Sequence, residues 1–233
     1  MNQSHNYQTS RRGFLKASTI LTAGGLILPQ AVGALAQTSG GSPSQVQGTQ
    51  TEQNLLKAFA GESQARNRYT FFAERARSEG FMQIAAIFEE TAEHEKAHAK
   101  RFFGFLKGGA VEIQAAFPAG VVGDTETNLK ASAEGEHEEW AVLYPEFAGV
   151  AADEGFPEIE KLFKAVAVAE QMHENRYLDF LKNIEEDLVF ARKEAVVWQC
   201  RNCGYMHKAR EPEVSCPACA HSQAHFQLFI PNW

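Results

Sequence analysis

The feature that most constrains this chain is a segment written twice. Glu79-Gly80-Phe81, Ile84, Phe88, Glu95 and His98 recur as Glu154-Gly155-Phe156, Ile159, Phe163, Glu170 and His173, each displaced by 75 residues. Upstream, Gly61-Glu62 recurs as Gly135-Glu136 with a displacement of 74, so the offset slips by one residue inside the repeat. Unrelated amphipathic helices would not keep Gly, Phe, Glu and His in one register over that length. The chain reads as a duplicated helical hairpin with pseudo-twofold symmetry.

The periodicity predicts four helices. The first starts at Thr51 as N-cap, carries Leu55, Leu56, Phe59, Glu62, Arg66, Tyr69 and Ala73 at spacings of three and four, and stops at Gly80. The second runs from Phe81 to Lys107, stopped by Gly108-Gly109; the third spans about 125–153 and the fourth about 156–188. Tight Glu-Gly-Phe turns make each pair antiparallel. The long segment 108–124 between the pairs, with Phe117-Pro118, is a crossover. Two tight hairpins and one long crossover give the ferritin-like form of a four-helix bundle, so the body is all-α.

Glu95-x-x-His98 and Glu170-x-x-His173 set a carboxylate and an imidazole one turn apart on an apolar helix face. Glu62 and Glu136 lie on the inner faces of the partner helices. Four buried carboxylates without a cation would cost several kcal/mol or more per ion, so shared metal is the simplest resolution. Hard carboxylates with two imidazoles suit iron or manganese. Glu139, three residues after Glu136, breaks the symmetry because Ala65 holds the matching place after Glu62. Helical phase turns Glu139 inward and Glu138 outward. His94 and His137 fall roughly 100° off the site face and read as surface residues. Tyr69 and Tyr144 lie near the inner face, as core or as hydrogen-bond partners of a ligand carboxylate.

Cys200-x-x-Cys203 and Cys216-x-x-Cys219 form two metal knuckles, whose four thiolates close a tetrahedral site. The spacing suits iron and structural zinc alike. A redox-active iron could feed a dimetal bundle, whereas zinc could not.

Ser10-Arg11-Arg12-Gly13-Phe14-Leu15-Lys16 precedes a small-residue apolar run ending in Ala34-Leu35-Ala36. Paired arginines before such a run read as a twin-arginine signal over 1–36, hence recognition by that export machinery and a periplasmic or otherwise exported location. Gly24, Gly25, Pro29 and Gly33 argue against a stable membrane span there. Residues 37–51 read as a flexible linker, 52–192 as the bundle and 195–233 as a small β knuckle domain. Beyond residue 36 the chain holds 29 acids against 19 bases, which excludes a nucleic-acid-binding role built on basic patches.

Ala58-Phe-Ala-Gly-Glu62-Ser-Gln-Ala-Arg-Asn-Arg-Tyr69, the Gly-Glu-His-Glu-Glu run around Glu136 and the two C-terminal knuckles together resemble the rubrerythrin family over about 52–233. The resemblance implies a non-haem di-iron peroxidase that reduces hydrogen peroxide in oxidative-stress defence. Electrons from an unidentified donor would pass through a rubredoxin-like iron. It implies iron ligation by Glu62, Glu95, His98, Glu136, Glu139, Glu170 and His173, with Glu95 and Glu170 bridging. It further implies that Glu139 and His98 exchange on reduction, that Tyr69 and Tyr144 support the ligands, and that chains pair as homodimers or larger homo-oligomers. An iron oxidase or storage protein, and a non-catalytic electron carrier, would use the same bundle; the C-terminal domain speaks against assembly into a storage cage.

Overall fold

The computed structural model describes residues 46–118 and 121–231. The expected signal 1–36 and most of the expected linker lie outside these residues. Helix α1 spans Gln50–Ser78 and α2 spans Met82–Phe103. The third bundle helix is built of α3 (Thr125–Glu138), one π turn (Glu139–Leu143) and α4 (Tyr144–Asp153). Helix α5 spans Pro157–Glu185. Hairpin α1–α2 packs on hairpin α3/α4–α5, and the crossover residues 108–118 are largely exposed. Among the described residues no helix is long and apolar enough to cross a membrane.

Three boundaries differ from the sequence reading. The N-cap of α1 is Thr49, whose side chain accepts from the Glu52 N–H, and not Thr51. Val46 is buried in the bundle, so the end of the expected linker belongs to the core. Helix α2 stops at Phe103 with Gly104 as its cap, ahead of Lys107, because Phe105 and Leu106 turn back to the carbonyls of Phe102 and Phe103.

Thr51 has another task. Its N–H and hydroxyl donate to the carboxylate of Glu154 at 2.8 and 2.6 Å. The Thr125 N–H donates to Glu79 at 2.9 Å. Glu79 and Glu154 are the repeated turn acids, so each hairpin's turn caps the first helix of the other, where a negative charge also meets the positive end of the helix dipole. The glycines beside them, Gly80 and Gly155, sit at φ +87° and +82°, a conformation that favours residues without Cβ.

The π turn accounts for the slipping offset. Tyr144 donates its N–H to the Glu139 carbonyl five residues back, so one extra residue is absorbed between Glu136 and Tyr144 relative to Glu62 and Tyr69. The two halves then return to register in the core. Tyr69, Phe88 and Tyr177 form one aromatic triad, with centroids 5.1–6.0 Å apart. Tyr144, Phe163 and Phe102 form its counterpart at 5.1–5.8 Å.

The C-terminal domain is a three-stranded antiparallel sheet in the order β2-β1-β3, from β1 (Val196–Cys200), β2 (Met206–Ala209) and β3 (Phe226–Leu228). Trp198, Cys200, Cys216 and Phe226 make its core. Its turn at Gln223–His225 and strand β3 pack against the start of α2, where Phe81 stacks on Phe190 at 6.3 Å.

Candidate metal centres

The duplicated helices bring their acids and imidazoles to one buried point between the aromatic triads. Glu62, Glu95, His98 and Glu170 form one cluster; Glu95, Glu136, Glu170 and His173 form a second. Glu95 and Glu170 belong to both, so two cations would share them as bridges. His98 Nδ1 lies 2.9 Å from Glu170, 3.1 Å from Glu95 and 3.6 Å from Glu62. His173 Nδ1 lies 2.7 Å from Glu170, 3.3 Å from Glu95 and 3.7 Å from Glu136.

The residues fit metal on their own geometry. Glu62 Oε2, Glu95 Oε1, Glu136 Oε2, both Glu170 oxygens and His173 Nδ1 are buried without a hydrogen-bond partner. Acceptors aimed at acceptors in a dry interior need a cation between them. The electrostatics agree. Burial, with the Glu170 charge behind it, raises the Glu62 carboxyl well above its usual range. Burial and the Glu95 charge push Glu136 up to about 8. At Glu95 burial acts the same way, but the imidazoles of His173 and His98 beside it outweigh it and hold the carboxyl at about 2. Burial disfavours the charged imidazoles, yet the surrounding acids hold the His173 proton up to about 12 and raise His98 as well. The site keeps positive charge whichever way it is supplied.

The tyrosines take the hydrogen-bonding option. Tyr69 donates to Glu136 at 2.5 Å and Tyr144 donates to Glu62, each reaching from the opposite hairpin. Each fixes a carboxylate oxygen, leaving the other free to face a metal.

Glu139 stands outside both clusters. It is turned inward and its Oε1 lies 3.9 Å from where a Cβ on Gly61 would be, while Glu138 is exposed. Burial first, then the Glu62 charge, raises its carboxyl well above the usual range.

His94 is not the surface residue its helical phase suggests. Its Nδ1 lies 3.0 Å from His173 Nε2, with the two rings stacked. Since His173 Nδ1 faces the acids, its Nε2–H is the natural donor and His94 the acceptor. His137 is exposed as expected, and it bonds Glu174 at 3.0 Å. Glu174 also accepts from the Trp140 indole at 2.5 Å, tying the π turn to α5.

In the small domain, Cys200 and Cys219 sulfurs lie 3.7 Å apart and those of Cys203 and Cys216 3.6 Å apart. Four thiolates about 2.3 Å from a tetrahedral metal stand about 3.8 Å from one another, whereas a disulfide closes to about 2 Å. The backbone N–H of His221 holds the Cys219 thiol down at about 5, the thiolate form a metal needs.

A duplicated four-helix bundle with two carboxylate-imidazole clusters, joined to a four-thiolate knuckle, defines a ferritin-like dimetal-carboxylate protein with an appended redox-type metal domain. The sequence profile of the rubrerythrin family matches residues 53–181, and that of the rubrerythrin rubredoxin-like domain matches 198–227. Rubrerythrin of Nitratidesulfovibrio vulgaris is 55% identical over 188 residues, 81% of this chain and 98% of its own. The chain belongs to the rubrerythrin family. Rubrerythrin of Porphyromonas gingivalis is likewise 55% identical, over 81% of this chain and 94% of its own. The solved structure of fully reduced, all-ferrous nigerythrin superposes with a TM-score of 0.53 at 30% identity, covering 83% of this chain and 98% of its own. The cofactors are accordingly two irons in the bundle and one in the four-cysteine site, and the protein is a di-iron oxidoreductase.

Proposed function

We propose that the protein reduces hydrogen peroxide to water at the bundle site, with electrons arriving through the four-cysteine iron. The observation that carries this is the pairing of Glu139 and His98: His98 joins the Glu62 cluster while Glu139 stands beside it. A site built only to hold two metals has its six symmetric ligands already and gives no reason for a seventh, inward acid on one side. Two ferrous ions, when bound, supply the two electrons that O–O cleavage takes, so no one-electron product is released. The chain's residues do the rest. Glu139, its carboxyl raised by burial, holds a proton while His98 is in place and releases it when it returns to the cluster. Tyr144 and Tyr69 keep Glu62 and Glu136 in orientation. The aromatic triads exclude water from both flanks.

The protein works as a homodimer in this reading. The knuckle domain meets its own chain at the start of α2, where Ala224 lies beside Gly80, and Glu95 lies 14 residues beyond Phe81, about 20 Å along the helix. A second copy can bring its knuckle nearer. The Arg11-Arg12 motif and Ala34-Leu35-Ala36 support export of the folded, metal-loaded chain.

The test is anaerobic mixing of the dithionite-reduced holoprotein with hydrogen peroxide. The reading expects rapid oxidation of both irons, with one peroxide consumed per two electrons. A protein that leaves peroxide untouched, yet oxidises added ferrous iron with dioxygen and retains it, is a ferroxidase instead.

A further inference from the structure

Beside Glu139 lies a chamber larger than hydrogen peroxide requires. It encloses about 460 Å³, whereas a water molecule occupies only about 30 Å³ of liquid. That volume falls among pockets that hold small organic ligands, roughly 300–1,000 Å³. Its walls include the apolar side chains of Ala58, Phe117, Leu143 and Phe147. The exposed Lys57, Glu138 and Glu146 belong to its rim. Its inner end is formed by Gly61, Glu139 and Tyr144, and the Tyr144 hydroxyl donates to Glu62. The chamber therefore ends on the two side chains that flank the Glu62 cluster. A Cβ on Gly61 would stand 3.5 Å from Phe117 and 3.9 Å from Glu139, so the missing side chain gives the chamber its depth.

We propose that this chamber seats the hydrocarbon part of an organic hydroperoxide, with its O–O group against Glu139 and Tyr144, so that alkyl and aryl hydroperoxides are substrates alongside hydrogen peroxide. The inference rests on the peroxidase reading above and names a further substrate class for the same site. The hydroperoxide ROOH takes two electrons from the reduced site and two protons. Its O–O bond breaks, and ROH and one water leave. Hydrogen peroxide needs none of the apolar wall; a carbon-bearing peroxide gains from all of it.

Cumene hydroperoxide is the probe. Mixed anaerobically with the reduced holoprotein, it is expected to oxidise the site and yield one 2-phenyl-2-propanol per two electrons. Apart from turnover, that alcohol is expected to bind the oxidised holoprotein in calorimetry. Ala58→Leu narrows the chamber and should slow cumene hydroperoxide by ~10-fold or more, the scale of one added group in an apolar pocket, while hydrogen peroxide stays within about twofold. Phe117→Ala, on the exposed crossover, removes wall instead and should weaken alcohol binding; it serves if Ala58→Leu does not fold. Oxidation by hydrogen peroxide but not by cumene hydroperoxide, with no alcohol bound, overturns the chamber proposal and leaves the peroxidase reading standing. Failure of both peroxides overturns that reading and this one with it. Equal slowing of the two by Ala58→Leu at full iron content also overturns the proposal, since the added bulk would then act on the site rather than on the carbon skeleton.

Discussion

Glu139 is an inward carboxylate beside the Glu62 cluster without a counterpart, since Ala65 takes its place in the first hairpin. Glu139→Ala should keep two irons per bundle, because six ligands remain, while peroxide turnover per iron falls by ~10²-fold or more, the scale of a lost proton-transfer group. Iron analysis beside stopped-flow rates checks it; loss of iron at unchanged turnover per iron would make Glu139 an ordinary ligand. His94 acts one step further out. His94→Leu removes the acceptor for the His173 Nε2–H and should loosen iron by about 10–100-fold, as other losses of a ligand's hydrogen-bond partner do. Chelator competition measures this, and His94→Gln, which keeps an acceptor, should recover most of it. The repeated ligands were legible in sequence because spacing alone puts them on one face. His94 was not, and the reason is geometric. On α2 the residue roughly 100° off the site face turns toward α5, where His173 meets it, whereas His137, equally displaced on α3, turns toward solvent.

At the scale of elements, the slip from 75 to 74 marked an extra residue, but a displacement between repeats cannot say what form the insertion takes. The π turn is that form, and such turns gather at functional sites. The repeated Glu-Gly-Phe turns were legible as turns, while the reciprocal capping was not, because it joins residues about 100 and 46 positions apart. Thr51 holds the Glu154 carboxyl below its usual range through its hydroxyl and N–H. A depressed carboxyl stabilises the fold above its unfolded value of 4.5 and loses that stabilisation as pH falls through its folded value. Glu154→Ala should therefore lower stability at neutral pH by about 1 kcal/mol, the scale of one helix cap. The gap from the parent protein should close as the medium is acidified below 4.5. Denaturant midpoints across that range, taken at matched metal content, give the comparison.

At the scale of the whole molecule, the ferritin-like bundle and the knuckle domain were legible from one duplication and four cysteines. How the two meet was not, because the packing of Gln223–His225 and β3 on α2, with Ala224 beside Gly80, joins residues that carry no pattern of their own. The export reading belongs to this scale too. Replacing Arg11 and Arg12 together by Lys should strand the precursor in the cytoplasm, with mature protein otherwise starting near Gln37; fractionation and N-terminal sequencing decide it. The exchanged caps carry one consequence further. A hairpin whose turn acid serves the helix of its neighbour cannot complete itself, but it can complete an identical copy. Two copies of the first hairpin would also assemble Glu62, Glu95 and His98 twice over, the six ligands without Glu139. The ancestral form implied by this symmetry is a two-chain metal clasp, whose later fusion let one half alone take up an extra residue as a π turn and an inward acid where the other keeps Ala65.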